Sequence, residues 1–347
     1  MTRIVVAAPT VTPPLRMQAR TRRAADIEPQ PVAWLWEPHL ALGKLSMVVG
    51  DPGLGKSTLT AALAAHVTNS RDWPDGTSCP QGDVLMVNAE DDPADTIRPR
   101  LDAAGADVQR VHLLDDVVDS HLHRARTFKL ADVEVLDEFI ERNSAVKLVI
   151  IDPLSAYLAG VDTHKDADVR GLLAPITQMA AARGVAVVAI SHLNKSKAAA
   201  IYRSTGSLAF VAAARSAYLL ARSDDADDKR LLLPIKNNLG PDGAGVAYWL
   251  RSTDARIPYV EWCNEPVQLT ADDVLSVGTG SSDDRSATDD CADWLRTVLS
   301  GGGAKASELM KQADGYGFSA KVLRRARERV GVKTVKTGVR EGWVWSL

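Results

Sequence analysis

From Trp34 onward, short apolar runs alternate with amphipathic stretches. "KLSMVVG", "DVLMVNAE", "VHLLD", "KLVIIDP" and "VAVVAISH" are each brief, rich in β-formers and almost wholly apolar, which is the pattern of strands covered on both faces. Between them the period changes. Leu59, Ala62, Leu63 and Val67 fall at helical spacing after a glycine loop, and "DVRGLLAPITQMAAARG" predicts a second helix just ahead of a strand. This alternation predicts an α/β fold, a mainly parallel sheet flanked by helices.

Composition breaks divide the chain. Residues 1–28 are rich in Pro, Thr and Arg without apolar periodicity and read as a flexible arm. Residues 29–275 hold the α/β pattern. "SVGTGSSDDRSA", residues 276–287, reads as a Gly/Ser/Asp-rich linker. Residues 288–347 then read as three helices and a hairpin: "DDCADWLRTVL", "KASELMKQADGYG", "FSAKVLRRARERVG" and "VKTVKTGVREGWVWSL".

The hydrophobic fraction of 46% and charged fraction of 24% place the 347-residue chain among globular proteins rather than disordered ones. With no apolar run of membrane-spanning length and no secretory leader, no membrane partner is expected and the chain reads as cytoplasmic. Cys79, Cys263 and Cys291 are far apart and form no CxxC pair, so neither a zinc site nor a disulfide framework is indicated. The net charge of −3 conceals an asymmetry: between Lys305 and Arg340 ten basic residues face three acidic ones. A cationic tail on an otherwise acidic chain predicts one segment that meets nucleic acid.

"GDPGLGKST", the run Gly50, Asp51, Pro52, Gly53, Leu54, Gly55, Lys56, Ser57, Thr58, matches GxxxxGK[ST] between a strand and a helix. Gly53 and Gly55 let the backbone curl until amide N–H groups point at phosphate oxygens, with the helix N-terminus adding its dipole. In this setting Lys56 reaches the β- and γ-phosphates of ATP and Ser57 ligates Mg²⁺. Asp152 closes the apolar run of "LVIIDPLSAYL" and is the expected second metal ligand.

The residue after Asp152 is Pro153, where many ATPases carry their catalytic glutamate. The base must come from elsewhere. Glu90 ends "DVLMVNAE", a strand that follows the loop's helix. In the RecA-like branch of ATPases the water-activating glutamate comes from such a strand, so Pro153 points to Glu90. The following "EDDPAD" also reads as a helix N-terminus with Asp91 or Asp92 as cap ahead of Pro93. His192, at the tip of "AISHLNK", is placed to sense the γ-phosphate.

Together these segments resemble the RepA-type hexameric replicative helicases, RecA-like P-loop ATPases of plasmids, phages and related mobile elements. The resemblance runs from about Trp34 to Val260 and rests on "GDPGLGKST", "VNAEDDPADTIRPRL", "VIIDPLSAYL", "AISHLNK", "GSLAFVAAARSAYLL" and "IKNNLGP" in that order. It implies a homo-oligomeric ring, a hexamer, with ATP between subunits and a cation supplied in trans. Arg203 and Arg215 are the candidate fingers, and Lys236 of "IKNNLG" a second cation acting across the interface. DnaB-type relatives carry "KQRNG" here, whereas this chain has Asn238 where that arginine would stand. The resemblance further implies that loops after Asp152 and His192 line a channel for single-stranded DNA, with Lys165, Lys195 and Lys197 as phosphate contacts. The implied activity is an ATP-driven DNA helicase; an ATP-switched DNA-binding protein, such as a recombination mediator, loader or regulator, remains the other reading.

In the cationic tail, Ser319 can cap a helix whose inner stripe is Val322, Leu323, Ala326 and Val330, leaving Lys321, Arg324, Arg325, Arg327 and Arg329 largely outside. The segment resembles a winged helix-turn-helix, which would bind duplex DNA through Lys321, Arg324 and Arg325.

Overall fold

The computed structural model describes residues 21–119, 124–158, 166–192, 208–240, 243–267, 269–278, 282–300, 302–318, 320–336 and 343–346. The chain divides into two compact units, one ending at Val32 and one beginning at Ala33. The described part of the first holds a single 3-10 turn, Ala24–Asp26, braced by Arg23 and Asp26 at 3.0 Å. Residues 1–20 of the expected arm lie outside the described residues.

The second unit opens with β1 (Trp34–Trp36), β2 (Leu40–Ala41), β3 (Leu45–Gly50), α1 (Lys56–Asn69) and β4 (Asp83–Asn88). It continues with α2 (Arg98–Ala104), β5 (Val111–Leu113), β6 (Val117–Asp119), β7 (Arg124–Arg126), α3 (Val133–Arg142), β8 (Val146–Asp152), α4 (Asp166–Arg183) and β9 (Ala186–His192). After α5 (Leu208–Ala213) come β10 (Ser216–Arg222), β11 (Lys229–Asn237), β12 (Gly245–Ser252) and β13 (Pro258–Val267).

Nine of these strands form one sheet in the order β13-β12-β11-β10-β3-β9-β8-β4-β5. From β10 to β5 every neighbouring pair is parallel; β11, β12 and β13 extend it antiparallel. The five apolar runs are β3, β4, β5, β8 and β9. Their side chains alternate between two cores. Met47, Val49, Val149, Ile151 and Val187 face α3 and α4. Val48, Leu148, Ile150 and Val188 face α1 and α2. Such two-sided covering is why these strands carry almost no polar residue. The fold is mixed α/β with a large, mostly parallel sheet flanked by helices, consistent with a RecA-like P-loop core. The antiparallel extension is an addition that the parallel pattern did not predict.

The chain ends with α6 (Ala271–Gly278), α7 (Ser282–Leu299), β14 (Ala304–Lys305), α8 (Ala306–Gly315), α9 (Ala320–Val330), β15 (Lys333–Lys336) and β16 (Trp343–Ser346). Residues 276–287 therefore differ from the expected linker: α6 reaches Gly278 and α7 starts at Ser282. The three helices bury their own core of Leu295, Leu299, Leu309, Val322, Leu323, Ala326 and Trp345, with β14, β16 and β15 paired antiparallel in that order. The inner stripe of α9 is as expected, but Arg327 is not simply solvated: its guanidinium stacks 3.8 Å from the centre of the Trp345 ring. Arg329 pairs with Asp289 of α7. Among the described residues no helix is long and apolar enough to cross a membrane.

Candidate nucleotide site

The loop between β3 and α1 turns on two glycines in the left-handed region, Gly53 at φ 75° and Gly55 at φ 85°, where a side chain is strained. Gly50 is small for another reason, since a Cβ there would lie 2.6 Å from the Leu220 carbonyl oxygen. Lys56 is buried, and its Nζ donates to the carbonyls of Gly50 (2.9 Å) and Asp51 (2.8 Å). Burial lowers its pKa, opposed by the carboxylates of Asp152, Asp51 and Glu90.

Strand order and register gather the remaining groups. Gly50 pairs with His192 across β3 and β9, and Asn88 pairs with Asp152 across β4 and β8. With β9 between β3 and β8, four strand tips form one row at the C-terminal edge of the sheet, the edge where open parallel sheets bind ligands. Asp152 is 4% exposed. Burial pushes its carboxyl up to about 6, Asp91 and Glu90 add to that, and a hydrogen bond from the Ser57 side chain and the charge of Lys56 oppose it. Asp152 Oδ2 is buried without a hydrogen-bond partner among the described residues. A buried carboxylate oxygen without a donor, beside a serine hydroxyl, is a donor set that suits a hard divalent cation.

Glu90 sits in the turn after β4. The Asn88 side chain accepts hydrogen bonds from the backbone N–H of Glu90 (3.0 Å) and Asp91 (2.9 Å), fixing that turn. The charge of Glu90 is felt by Lys56, Asp152, Tyr157 and His192. Of the two possible caps, Asp92 fills the role, accepting from Ala94 N (2.7 Å) and Asp95 N (3.1 Å). Asp91 instead takes an ion pair from Arg100 at 2.6 Å. Neither Asn88 nor Arg100 stood out in the sequence; an Asn two residues ahead of the glutamate is the local signal for the first, and nothing local marks the second.

His192 Nδ1 is buried and has no hydrogen-bond partner among the described residues. Burial and the Lys56 cation lower its pKa against the pull of Glu90, so the ring is neutral at pH 7.

The cations expected to act across an interface lie elsewhere. Ser216 pairs with Ser46 while Leu220 pairs with Gly50, which puts exposed Arg215 at the far end of β10, roughly 16 Å along the strand from the phosphate loop. Lys236 lies at the same end, paired with Ala217 across β10 and β11. Its Nζ donates to the carbonyls of Val211 (3.2 Å), Ala212 (2.7 Å) and Ala214 (2.8 Å), closing the C-terminus of α5 as a lysine does where helix carbonyls are unsatisfied. Arg203, Lys165, Lys195 and Lys197 lie outside the described residues, and α9 carries Lys321, Arg324 and Arg325, whose side chains do too.

A glycine loop capping a helix, a buried lysine, strand tips bearing Asp152 and His192, and Glu90 in the turn after the neighbouring strand define a nucleotide-binding P-loop ATPase. The family model described as AAA domain matches residues 11–198, more than half of the chain. The chain belongs to that family.

Proposed function

We propose that the chain is an ATP-hydrolysing DNA helicase of the RepA type, a hexameric ring that moves on single-stranded DNA during replication of a mobile element. The observation that carries this reading is the row of strand tips together with Pro153. The position after Asp152 holds no base, and Glu90 lies one strand away with its charge directed at Lys56, Asp152 and His192. Lys56 would leave its carbonyl partners for the β- and γ-phosphates. Ser57 and Asp152 would hold Mg²⁺, which when bound neutralises charge on the transferred phosphoryl group. Glu90 takes the proton of the attacking water. Neutral His192 donates or accepts one hydrogen bond at the γ-phosphate and passes its loss to the loop that follows.

Arg215 cannot serve its own phosphate loop from the opposite end of β10, which supports a role on a neighbouring subunit. In the tail, the order α7, β14, α8, α9, β15, β16 and the sheet order β14-β16-β15 support a winged helix-turn-helix with α9 as recognition helix, meeting duplex DNA through Lys321, Arg324 and Arg325. Lys165, Lys195 and Lys197 would contact the single strand in the channel.

One observation favours a second reading. In the single subunit Lys236 bonds to the end of α5, and an ATP-switched DNA-binding protein needs no pair of cations across an interface. A strand-displacement assay with native mass measurement separates the two. ATP-dependent displacement by a six-subunit species supports the helicase; DNA-stimulated hydrolysis without displacement at any ratio of protein to DNA supports the switch.

A further inference from the structure

Arg230 is a buried guanidinium, 4% exposed, near the start of β11. Among the described residues its hydrogen bonds go to backbone carbonyls: Nη1 donates to Asp227 (2.6 Å) and Lys229 (3.1 Å), and Nε donates to Leu54 (3.2 Å), 176 residues away in the phosphate loop. Burial works against its charge and the nearby Arg222 adds to that, while Tyr248 and the carboxylates of Asp228 and Asp227 oppose it. Among the described residues no carboxylate forms an ion pair with it. A buried cation without an ion pair is costly in a fold. Such groups persist where their geometry does something.

The geometry here acts on one peptide unit. In a planar trans peptide the C=O of one residue and the N–H of the next point in opposite directions. Holding the Leu54 carbonyl toward β11 therefore turns the Gly55 N–H the other way, into the loop where phosphate oxygens are received. A second contact from the same extension reinforces it. Leu250 of β12 lies over Gly55, with its Cδ1 3.1 Å from where a Cβ would stand. Gly55 itself sits at φ 85° and is the N-cap of α1, so its peptide has a reversed alternative that a glycine can adopt at little cost.

We infer that Arg230 is a positioning residue for nucleotide binding. It locks the Leu54–Gly55 peptide so that the loop amide faces the phosphates, and it makes the shape of the phosphate loop depend on the antiparallel strands β11 and β12. This rests on residues 50–58 being the loop that receives ATP phosphates.

The test uses the full chain as wild type, Arg230→Ala, Arg230→Lys and Leu250→Ala. Binding of a fluorescent ATP analogue with Mg²⁺ is titrated, KM and kcat are measured, and melting is recorded without nucleotide. Loss of the Arg230 bond is expected to weaken analogue binding about ten-fold, a difference of about 1.4 kcal/mol, and to raise KM by a similar factor with a smaller change in kcat. Hydrogen exchange over residues 50–56 should speed up. Arg230→Lys, which keeps a donor in reach of the carbonyl, is expected to recover part of the affinity. A folded Arg230→Ala protein with wild-type affinity overturns the inference, whatever its melting temperature. If that variant does not fold, Arg230→Met, which keeps the stem but not the donor, takes its place, and wild-type affinity there overturns the inference equally. Wild-type protein that binds no analogue would instead remove the ATP-site reading on which the inference stands.

Discussion

Gly50 and His192 are register partners at the ends of adjacent parallel strands, so the first residue of the phosphate loop and the tip of β9 are one strand spacing apart. This places the imidazole beside the phosphate loop although the two residues are far apart in sequence, because parallel pairing brings distant strand ends level. Replacing His192 by Ala should leave ATP binding within a few-fold and slow hydrolysis roughly ten-fold, about the worth of one hydrogen bond formed only as charge develops. Nucleotide titration and steady-state turnover on one preparation check this. Unchanged turnover would remove the sensor role.

Glu90→Gln should keep ATP binding and slow hydrolysis by roughly 10² to 10⁴, the range for loss of a positioned base. The Asn88 turn holds the backbone in both proteins, so the comparison isolates the carboxylate. Near-normal single-turnover rates would leave the base missing after Asp152 without a substitute.

Asp152 carries a pH signature with a definite sign. Its folded pKa is raised from 3.8 to about 6, so the carboxyl contributes stability that is complete below the unfolded value and is lost as pH rises through about 6. At pH 7.5 the metal-free fold bears a charge cost of up to about 3 kcal/mol. Asp152→Asn should therefore melt higher than wild type at pH 7.5 without metal, with the gap closing near pH 4. Adding Mg²⁺ and ATP should reverse the order, because only the wild type can ligate the ion. A lower melting point for the variant in chelator at pH 7.5 would contradict this.

Lys236 and Arg215 should separate in a mixing experiment. Lys236→Ala exposes three helix-end carbonyls and should destabilise the fold by about 2 kcal/mol, with no recovery of activity when mixed with Lys56→Ala protein. Arg215→Ala should leave stability near wild type, and its mixture with Lys56→Ala should regain part of the missing turnover through sites built from two subunits. Absence of recovery in co-assembled mixtures would return the trans role to Arg203.

Arg324 and Arg325 should differ from Arg327. Changing the first two to Ala should weaken duplex binding while melting stays constant, and the slope of log affinity against log salt should fall by about one unit for each phosphate that is no longer neutralised. Arg327→Ala removes the stack on Trp345 and should lower the stability of the tail first. An equal drop of melting temperature in both variants would argue against α9 as a DNA-facing helix.

What was legible follows from how local each cause is. "LVIIDP" announces a strand because a parallel strand covered on both faces tolerates almost no polar residue, and the glycine loop announces itself because Gly53 and Gly55 occupy backbone that other residues avoid. The row of Asp152, His192 and Glu90 could be anticipated because Asp152 and His192 end such strands and Glu90 follows the end of a third within two residues. Lys236 could not be, since a lysine in "IKNN" reads the same whether solvated or buried against the end of α5. Arg230 was invisible for a related reason: its partner in the phosphate loop is 176 residues away. The helical start of α7 was masked by a composition that suits both a linker and an acidic helix N-terminus.

The lateral neighbours of β3 are β9 and β10, both later in the chain. A ribosome that has released residues up to 158 has delivered the phosphate loop, Glu90 and Asp152, and β4, β5 and β8 can already pair. Yet β3 has nothing to lie against. Its buried run of Leu45, Met47, Val48 and Val49 must wait for residues 186–192 to emerge, and such long-range parallel pairing is slow to form. Nascent chains shorter than this leave an apolar strand uncovered, so during synthesis ATP binding is expected to appear only once β9 can enter between β3 and β8.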